Sequence, residues 1–432
     1  MTVAPRLSDP TLNRLANGVQ LLNAPTGSTN VGIFLIVRAG SRDENPTTAG
    51  LAHFLEHMFF KGTRNRPTSL QISREFDKLG ALSNAYTDVE EVAYYTEGPA
   101  TSAHQLADIV TDMLSHPLFV PDEVERERNV VLQELANRLL QPEGWVGDRL
   151  MSVAFGGDQP MSWSAAGHVP VVEQVTPEQL VDYHRSFYAP DRMALVISGG
   201  AAIDEGTADE LLRDIPHASS KPRVPAEWGR GDQYAANVRP MSADEEQQIV
   251  LALAIPGIPA LDPDRSALRV MQHALGGGMS SRLFHTVRER EGLCYYIGAD
   301  HEAFEDAGMF QIYTATRPQH AARAVSLSIK ELRSIVDTPL DEEELEVTKS
   351  SMVGSLLRGT ETARGSASWH ARRWRIGLPL QTPLDLADEL RAVTAADVQR
   401  VAARIAQGLP QTRLAFVAPR DMGGEILEAV SA

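Results

Sequence analysis

The hydrophobic pattern of the first forty residues is that of strands. Residues 18–22 alternate, and Asn30-Val-Gly-Ile-Phe-Leu-Ile-Val-Arg38 is apolar enough on both faces to be a central strand. The period then changes. Leu51, Phe54, Leu55 and Met58 recur at i, i+3, i+4 and i+7, which predicts a helix with Thr47-Thr48 as its cap and Gly62 as its stop. Further on, the pattern predicts a helix over 69–79 and strands near 83–87 and 92–96. Helices over 102–115, 122–140 and 177–188 and a strand over 193–198 follow.

Residues 216–231 hold Pro216, Ser219, Ser220, Pro222, Pro225 and Gly229 and interrupt the pattern as a linker does. Beyond them it starts again. Gln248-Ile-Val-Leu-Ala-Leu-Ala-Ile resembles the second strand of the first half, and residues 267–275 resemble the helix after it. Val175-Thr-Pro-Glu-Gln-Leu180 and Val393-Thr-Ala-Ala-Asp-Val398 repeat one phrase 218 residues apart, each followed by an apolar strand. Order, spacing and wording together predict a tandem duplication of one α+β domain. The expected division is 1–215, a linker over 216–235, and 236–432.

Charge narrows the functions open to such a chain. It has 40 basic and 57 acidic residues, a net charge of −17, which argues against a nucleic-acid partner. Its single cysteine, Cys294, forms no intrachain disulfide. The longest apolar run, residues 31–37, is far short of the ~20 a membrane helix needs. The first twenty residues carry Arg6, Asp9, Pro10 and Arg14 and no apolar block, so the expectation is a cytoplasmic protein without a membrane partner.

The candidate chemistry lies on the first predicted helix, at His53-Phe-Leu-Glu56-His57. Histidines at i and i+4 share a helix face, and two imidazoles there can reach one metal ion. The same spacing also occurs in structural histidines. Because the apolar stripe is offset from them, one face can pack while another presents His53, Glu56 and His57. A catalytic zinc site needs a third protein ligand and an open position. Glu127 and Glu134, seven residues apart on one predicted helix, fall on the same side and are the candidates. Glu123, Glu125, Arg126 and Arg128 around them equally fit a solvated charged face.

With these residues in hand, the sequence resembles the inverzincin zinc peptidases, the relatives of pitrilysin, insulin-degrading enzyme and mitochondrial processing peptidase. The resemblance rests on His53-x-x-Glu56-His57, on Glu134 placed 77 residues after His57, and on Glu127 seven residues before Glu134. It extends to Gly80-Ala-Leu-Ser-Asn84-Ala85-Tyr-Thr87, to Leu275-Gly-Gly-Gly-Met-Ser-Ser-Arg-Leu-Phe284, and to Arg288 and Tyr295 in Arg-x6-Tyr spacing, and so covers nearly the whole chain. It departs at Val92 and Ala81, where the family usually has threonine and a second glycine. The implied architecture is like that of mitochondrial processing peptidase, with two similar α+β domains, each a mainly antiparallel sheet packed with helices.

The resemblance implies roles. His53, His57 and Glu134 hold Zn²⁺, Glu56 is the general base, and Glu127 orients a ligand or assists the base. Asn84 and Ala85 lie on a strand that takes a peptide by β-augmentation, and Arg288 and Tyr295 contact substrate. Where the zinc helix would recur, the chain reads Leu268-Arg-Val-Met-Gln-His273, without the ligand pair, so one zinc per chain is expected. The implied enzyme is a zinc metalloendopeptidase acting on peptides or unfolded segments in a dimeric chamber. It is either a homodimer or a heterodimer with a metal-free sister chain. The alternatives are a non-catalytic peptide-binding subunit and a dedicated leader-peptide maturation protease. Gly276-Gly277-Gly278 lacks the Lys-[Ser/Thr] of a phosphate loop and is expected to be a flexible turn or, as the resemblance implies, a substrate-contacting loop. His184, His273 and His285 lack ligand spacing and are expected to be structural or on the surface.

Overall fold

The apolar run over residues 30–37 is central because both of its faces are covered. A computed structural model of the chain describes residues 9–157, 159–216, 222–239 and 248–431. The first elements are β1 (Thr11–Arg14), β2 (Gln20–Pro25), β3 (Asn30–Val37), α1 (Leu51–Met58), α2 (Ser69–Lys78), β4 (Leu82–Thr87), β5 (Val92–Pro99), α3 (Ala103–Ser115), α4 (Pro121–Leu140) and α5 (Pro142–Phe155). Then come α6 (Val169–Val172), α7 (Pro177–Phe187), β6 (Met193–Gly199), α8 (Glu205–Leu211), β7 (Tyr234–Val238), β8 (Ile249–Pro256), α9 (Arg265–Gly276), β9 (Cys294–Ala303), β10 (Gly308–Thr316), α10 (Ala321–Asp337) and α11 (Glu342–Gly359). The last are α12 (Ala363–Arg375), α13 (Pro383–Ala392), α14 (Ala395–Gln407), β11 (Arg413–Ala418) and α15 (Gly423–Ser431).

The chain forms two compact units that are not contiguous stretches of sequence. The first takes residues 1–136, 164–224 and 357–384, and the second takes 137–163, 225–356 and 385–432. Residues 217–221 of the expected linker lie outside the described residues, and no regular element lies between 222 and the start of β7.

The first unit is built on a sheet in the order β1-β2-β6-β3-β5-β4. β3 pairs antiparallel with β5 and β6, β2 runs parallel to β6, and β4 is an outer strand. Val31, Ile33, Leu35 and Val37 face a core completed by Leu51, Phe54, Leu55 and Met58 of α1 and Leu106, Ile109 and Met113 of α3. Phe34 and Ile36 point to the opposite face, where Ala367, Ala371 and Trp374 of α12 cover the sheet. Gly32 permits this approach, since a Cβ there would lie 2.6 Å from the Ala363 carbonyl oxygen.

The second unit repeats the plan in the order β7-β11-β8-β10-β9, with β7 parallel to β11 and the other pairs antiparallel. Here α5, from the first half of the sequence, packs against β8, β11 and β7. Each half therefore places one equivalent helix on the other half's sheet, and the fold is a duplicated α+β architecture. The repeated sequence phrase is a helix start in both halves. Thr176 accepts from the Gln179 N–H at 3.3 Å, and Thr394 accepts from the Asp397 N–H at 3.2 Å.

The predicted start and stop of α1 need correction. Its cap is Gly50 at φ +111°, not Thr47-Thr48, and the helix ends at Met58, four residues before Gly62. Among the described residues, no helix is long and apolar enough to cross a membrane.

Candidate metal centre

α1 is only two turns long, and its cap residue has no side chain to satisfy the first amides. Glu44 supplies that function from upstream, its carboxylate accepting from Gly50 N–H at 2.8 Å and Ala52 N–H at 2.7 Å. Burial pushes the Glu44 carboxyl up to about 8, against the pull of these amides. Glu44 was not singled out from sequence, because a capping acid is sought within one turn of the helix start and this one lies six residues before the cap. Leu51, Phe54, Leu55 and Met58 lock the helix into the core, which leaves His53, Glu56 and His57 on another face.

The two histidine rings meet edge to face with centroids 4.7 Å apart, and their Nε2 atoms are separated by 3.2 Å. Glu134, half-exposed on α4, brings Oε2 to 3.7 Å from His53 Nε2 and 3.6 Å from His57 Nε2. Bonds of about 2.0–2.1 Å at tetrahedral angles place ligand atoms about 3.3 Å apart, so this triangle fits a zinc ion. It is the one group of three candidate ligands found among the described residues.

Glu127 is buried one step behind the ligand triangle rather than on a solvated face. Its Oε1 accepts from His57 Nδ1 at 2.8 Å, which leaves the Nε2 lone pair for a metal, and its other oxygen pairs with Lys61. Burial alone would raise the Glu127 carboxyl, but His57 and Lys61 outweigh it and hold the group below its ordinary range. For His57, burial opposes the charge, while Glu127, Glu56 and Glu134 around it raise its pKa. Glu56 is raised by burial, partly offset by a hydrogen bond from Thr87 Oγ1 to Oε2 at 2.5 Å and by His57. Thr87 closes the Gly80–Thr87 motif, but its contact with Glu56 crosses from strand to helix and has no sequence signature.

Asn84 and Ala85 lie on β4, which among the described residues pairs with β5 alone. Asn84 Oδ1 accepts from the Ala85 N–H at 2.8 Å. Arg288 and Tyr295 belong to the second unit and meet there. The guanidinium stands 5.2 Å from the Tyr295 ring centroid and 4.6 Å from that of Phe284, in a π-helical turn over Phe284–Arg290. Tyr295 is 79% exposed. The structure thus gathers His53, Glu56, His57, Glu127 and Glu134 into one cluster of the first unit, and Arg288 with Tyr295 into a pair of the second.

The remaining sequence features have structural explanations. Gly276 ends α9, where a Cβ would lie 2.3 Å from the Ala299 amide nitrogen of β9, and a Cβ at Gly277 would lie 2.4 Å from His273 Nδ1, so these two glycines serve close packing. His184 is packed edge-on against Phe59 and Tyr188, at 5.2 Å from each. His273 faces the Ser351 hydroxyl at 3.0 Å, and His285 is exposed beside Phe284.

Fold and ligand triangle together define a class: a duplicated α+β chain carrying one His₂Glu group on its first half. Residues 19–162 match the insulinase (peptidase family M16) model, and residues 174–352 match the peptidase M16 inactive-domain model. A protein of Mycobacterium leprae named an uncharacterized zinc protease is 34% identical over 355 residues, covering 81% of this chain and 77% of its own. A likewise named protein of Rickettsia felis is 28% identical, covering 96% of this chain and 98% of its own. A protease structure from Helicobacter pylori superposes with a TM-score of 0.85 at 20% identity, over 96% of this chain and 100% of its own. A peptidase M16 inactive-domain structure from Pseudomonas fluorescens gives a TM-score of 0.84 at 20% identity, covering 95% of this chain and 98% of its own. The chain belongs to peptidase family M16, among two-domain bacterial relatives named as zinc proteases.

Proposed function

We propose that this chain is a zinc metalloendopeptidase that hydrolyses internal bonds of peptides or unfolded segments. The observation that carries this reading is the triangle of His53 Nε2, His57 Nε2 and Glu134 Oε2, at 3.2, 3.6 and 3.7 Å, with Glu56 beside it. His53, His57 and Glu134 would hold the ion, and a nitrogen-rich set with one carboxylate suits zinc. Bound there, zinc supplies Lewis acidity, polarising a scissile carbonyl and lowering the pKa of water towards ~7.

The protein's own groups do the rest. Glu127 fixes the His57 ring through Nδ1. Thr87 holds Glu56 by Oε2, which leaves Oε1 to take a proton from the attacking water and return it to the leaving amine. The edge of β4 adds a peptide strand through main-chain hydrogen bonds, and a peptide using the Ala85 N–H displaces Asn84 Oδ1 from it. Arg288 and Tyr295 donate to substrate carbonyls or to the developing oxyanion. The working assembly in this reading is a homodimer enclosing the peptide, with Arg288 and Tyr295 serving the partner's site. Mixing a His53→Ala chain with an Arg288→Ala chain then restores part of the activity, and failure under verified subunit exchange overturns that arrangement.

The deciding experiment is digestion of a mixed library of unstructured peptides, read by mass spectrometry, with Glu56→Gln in parallel. Internal cleavage by the wild type, lost in a variant that retains zinc, is the expected result. Zinc-loaded wild type that cuts nothing overturns the general peptidase reading.

A further inference from the structure

The unit that carries the metal centre is completed by an arginine from the far end of the sequence. α12 lies on its sheet, and Arg375, the last residue of that helix, reaches the turn between β4 and β5. Arg375 Nη1 lies 2.8 Å from Glu90 Oε2, and Arg375 Nε pairs with Glu91 Oε2. Both carboxylates are almost wholly buried, 2% and 3% exposed. The second oxygen of Glu91 accepts from the Tyr86 hydroxyl at 2.6 Å. Tyr86 is the residue before Thr87, and Thr87 holds Glu56 at 2.5 Å. A continuous set of contacts thus runs from Arg375 through Glu91 and Tyr86 to the end of β4 that meets Glu56.

Two physical arguments give Arg375 a particular place in this set. A buried carboxylate without a cation is costly, and two successive ones are costlier. Glu90 has a second cation, Arg42 at 2.5 Å, and Arg223 at 3.8 Å. Among the described residues the cations facing Glu91 are Arg375 and, three residues back on the same helix, Arg372, and burial still holds its carboxyl above the ordinary range. The extended guanidinium reaches both carboxylates at once, by a hydrogen bond to Glu90 and an ion pair to Glu91, which a lysine ammonium does not reproduce. The hairpin held in this way includes an outer strand, the kind of element that frays first when its anchors go.

We propose that Arg375 is a positioning residue for the site. By clamping Glu90 and Glu91 it fixes the β4–β5 hairpin, so that Thr87 meets Glu56 and the outer edge of β4 is held for a peptide. The proposal rests on the reading of Glu56 as general base and β4 as the peptide-binding edge. It makes the site of the first half depend on a residue 285 positions further along than Glu90.

The test uses the full zinc-loaded chain with Arg375→Ala, Arg375→Lys and Tyr86→Phe. The last removes a single hydroxyl and keeps the ring. Three quantities are measured: backbone hydrogen exchange, zinc per chain, and kcat and KM on a peptide the wild type cleaves. In Arg375→Ala, exchange over residues 82–97 should speed up about tenfold or more while β3 and β6 stay protected, with zinc retained. kcat should fall about tenfold or more, Arg375→Lys should recover only part of it, and Tyr86→Phe should move both readouts in the same direction by less. Unchanged hairpin exchange in both Arg375→Ala and Tyr86→Phe overturns the proposal. So does a uniform rise across the sheet, or a loosened hairpin with unaltered kcat. Wild type that cleaves nothing overturns the peptidase reading instead, and the exchange data still decide whether Arg375 holds the hairpin.

Discussion

Glu127 Oε1 accepts a hydrogen bond from His57 Nδ1 at 2.8 Å, so the ring presents Nε2 to His53 and Glu134 and not the other nitrogen. This holds the ring's orientation and, in its neutral form, keeps the proton on Nδ1 and leaves Nε2 free to ligate. Glu127→Ala should therefore lower zinc affinity about 10- to 100-fold without removing a ligand. Chelator competition on the purified variant measures it, and affinity equal to wild type would remove Glu127 from this part.

The proposed site allows one ion per chain. Zinc content by elemental analysis should be one per chain in wild type and in His273→Ala. It should approach zero in His53→Ala, since losing one of three ligands leaves a pair too weak to retain the ion through dialysis. Stoichiometry of two in the wild type would show a second site that the second half is not expected to carry.

Removing the Thr87 hydroxyl should show in the acid limb of the pH profile. Its hydrogen bond favours the ionised form of Glu56, whose pKa burial has already raised. Thr87→Val takes that support away, so the carboxyl needs a higher pH to ionise. The acid limb of kcat/KM should move to higher pH, and a shift downward would exclude Glu56 as the titrating base.

His184 gives a stability prediction that is independent of catalysis. Burial pushes its imidazole down to about 4 from 6.5, and His301 and His370 are depressed to the same level. A depressed folded-state value means the unfolded chain binds more protons between pH 6.5 and about 4. Stability present above pH 6.5 is then lost as pH falls through that window. His184→Phe keeps a ring against Phe59 and Tyr188 and should flatten the loss by about one proton's share, at most about 3 kcal/mol. Urea unfolding at pH 7 and pH 4.5 measures the difference.

Trp374 tests the contribution of α12 to the first unit. It is buried against the sheet, its indole N–H donates to Gln20 Oε1 at 2.6 Å, and the Arg38 guanidinium stands 4.3 Å from its ring centroid. Trp374→Ala should cost about 3–5 kcal/mol in denaturant unfolding. A loss below about 1 kcal/mol would mean the helix contributes little.

Much of this was legible along the chain. The Leu51–Met58 stripe set α1 against the core and left His53 and His57 together on another face, because helical period alone decides that. The repeated Thr176 and Thr394 phrases identified the duplication because a capping box is a local device. What could not be read were relationships with no local period. Glu44 caps α1 from outside the usual window. Thr87 meets Glu56 across a strand and a helix, and Arg375 meets Glu90 across most of the sequence. α12 reads as a polar, arginine-rich stretch, and only the sheet it covers shows that Ala363, Ala367, Ala371 and Trp374 form its packing stripe.

The exchange of α5 and α12 gives the chain the connectivity of a domain-swapped pair joined end to end. A single protease cut between residues 222 and 233 would not yield two self-sufficient pieces. Each fragment would still have a helix built into the other's sheet, so the nicked protein should remain clasped and come apart only when it unfolds. Neither half, produced by itself, could cover both faces of its own sheet.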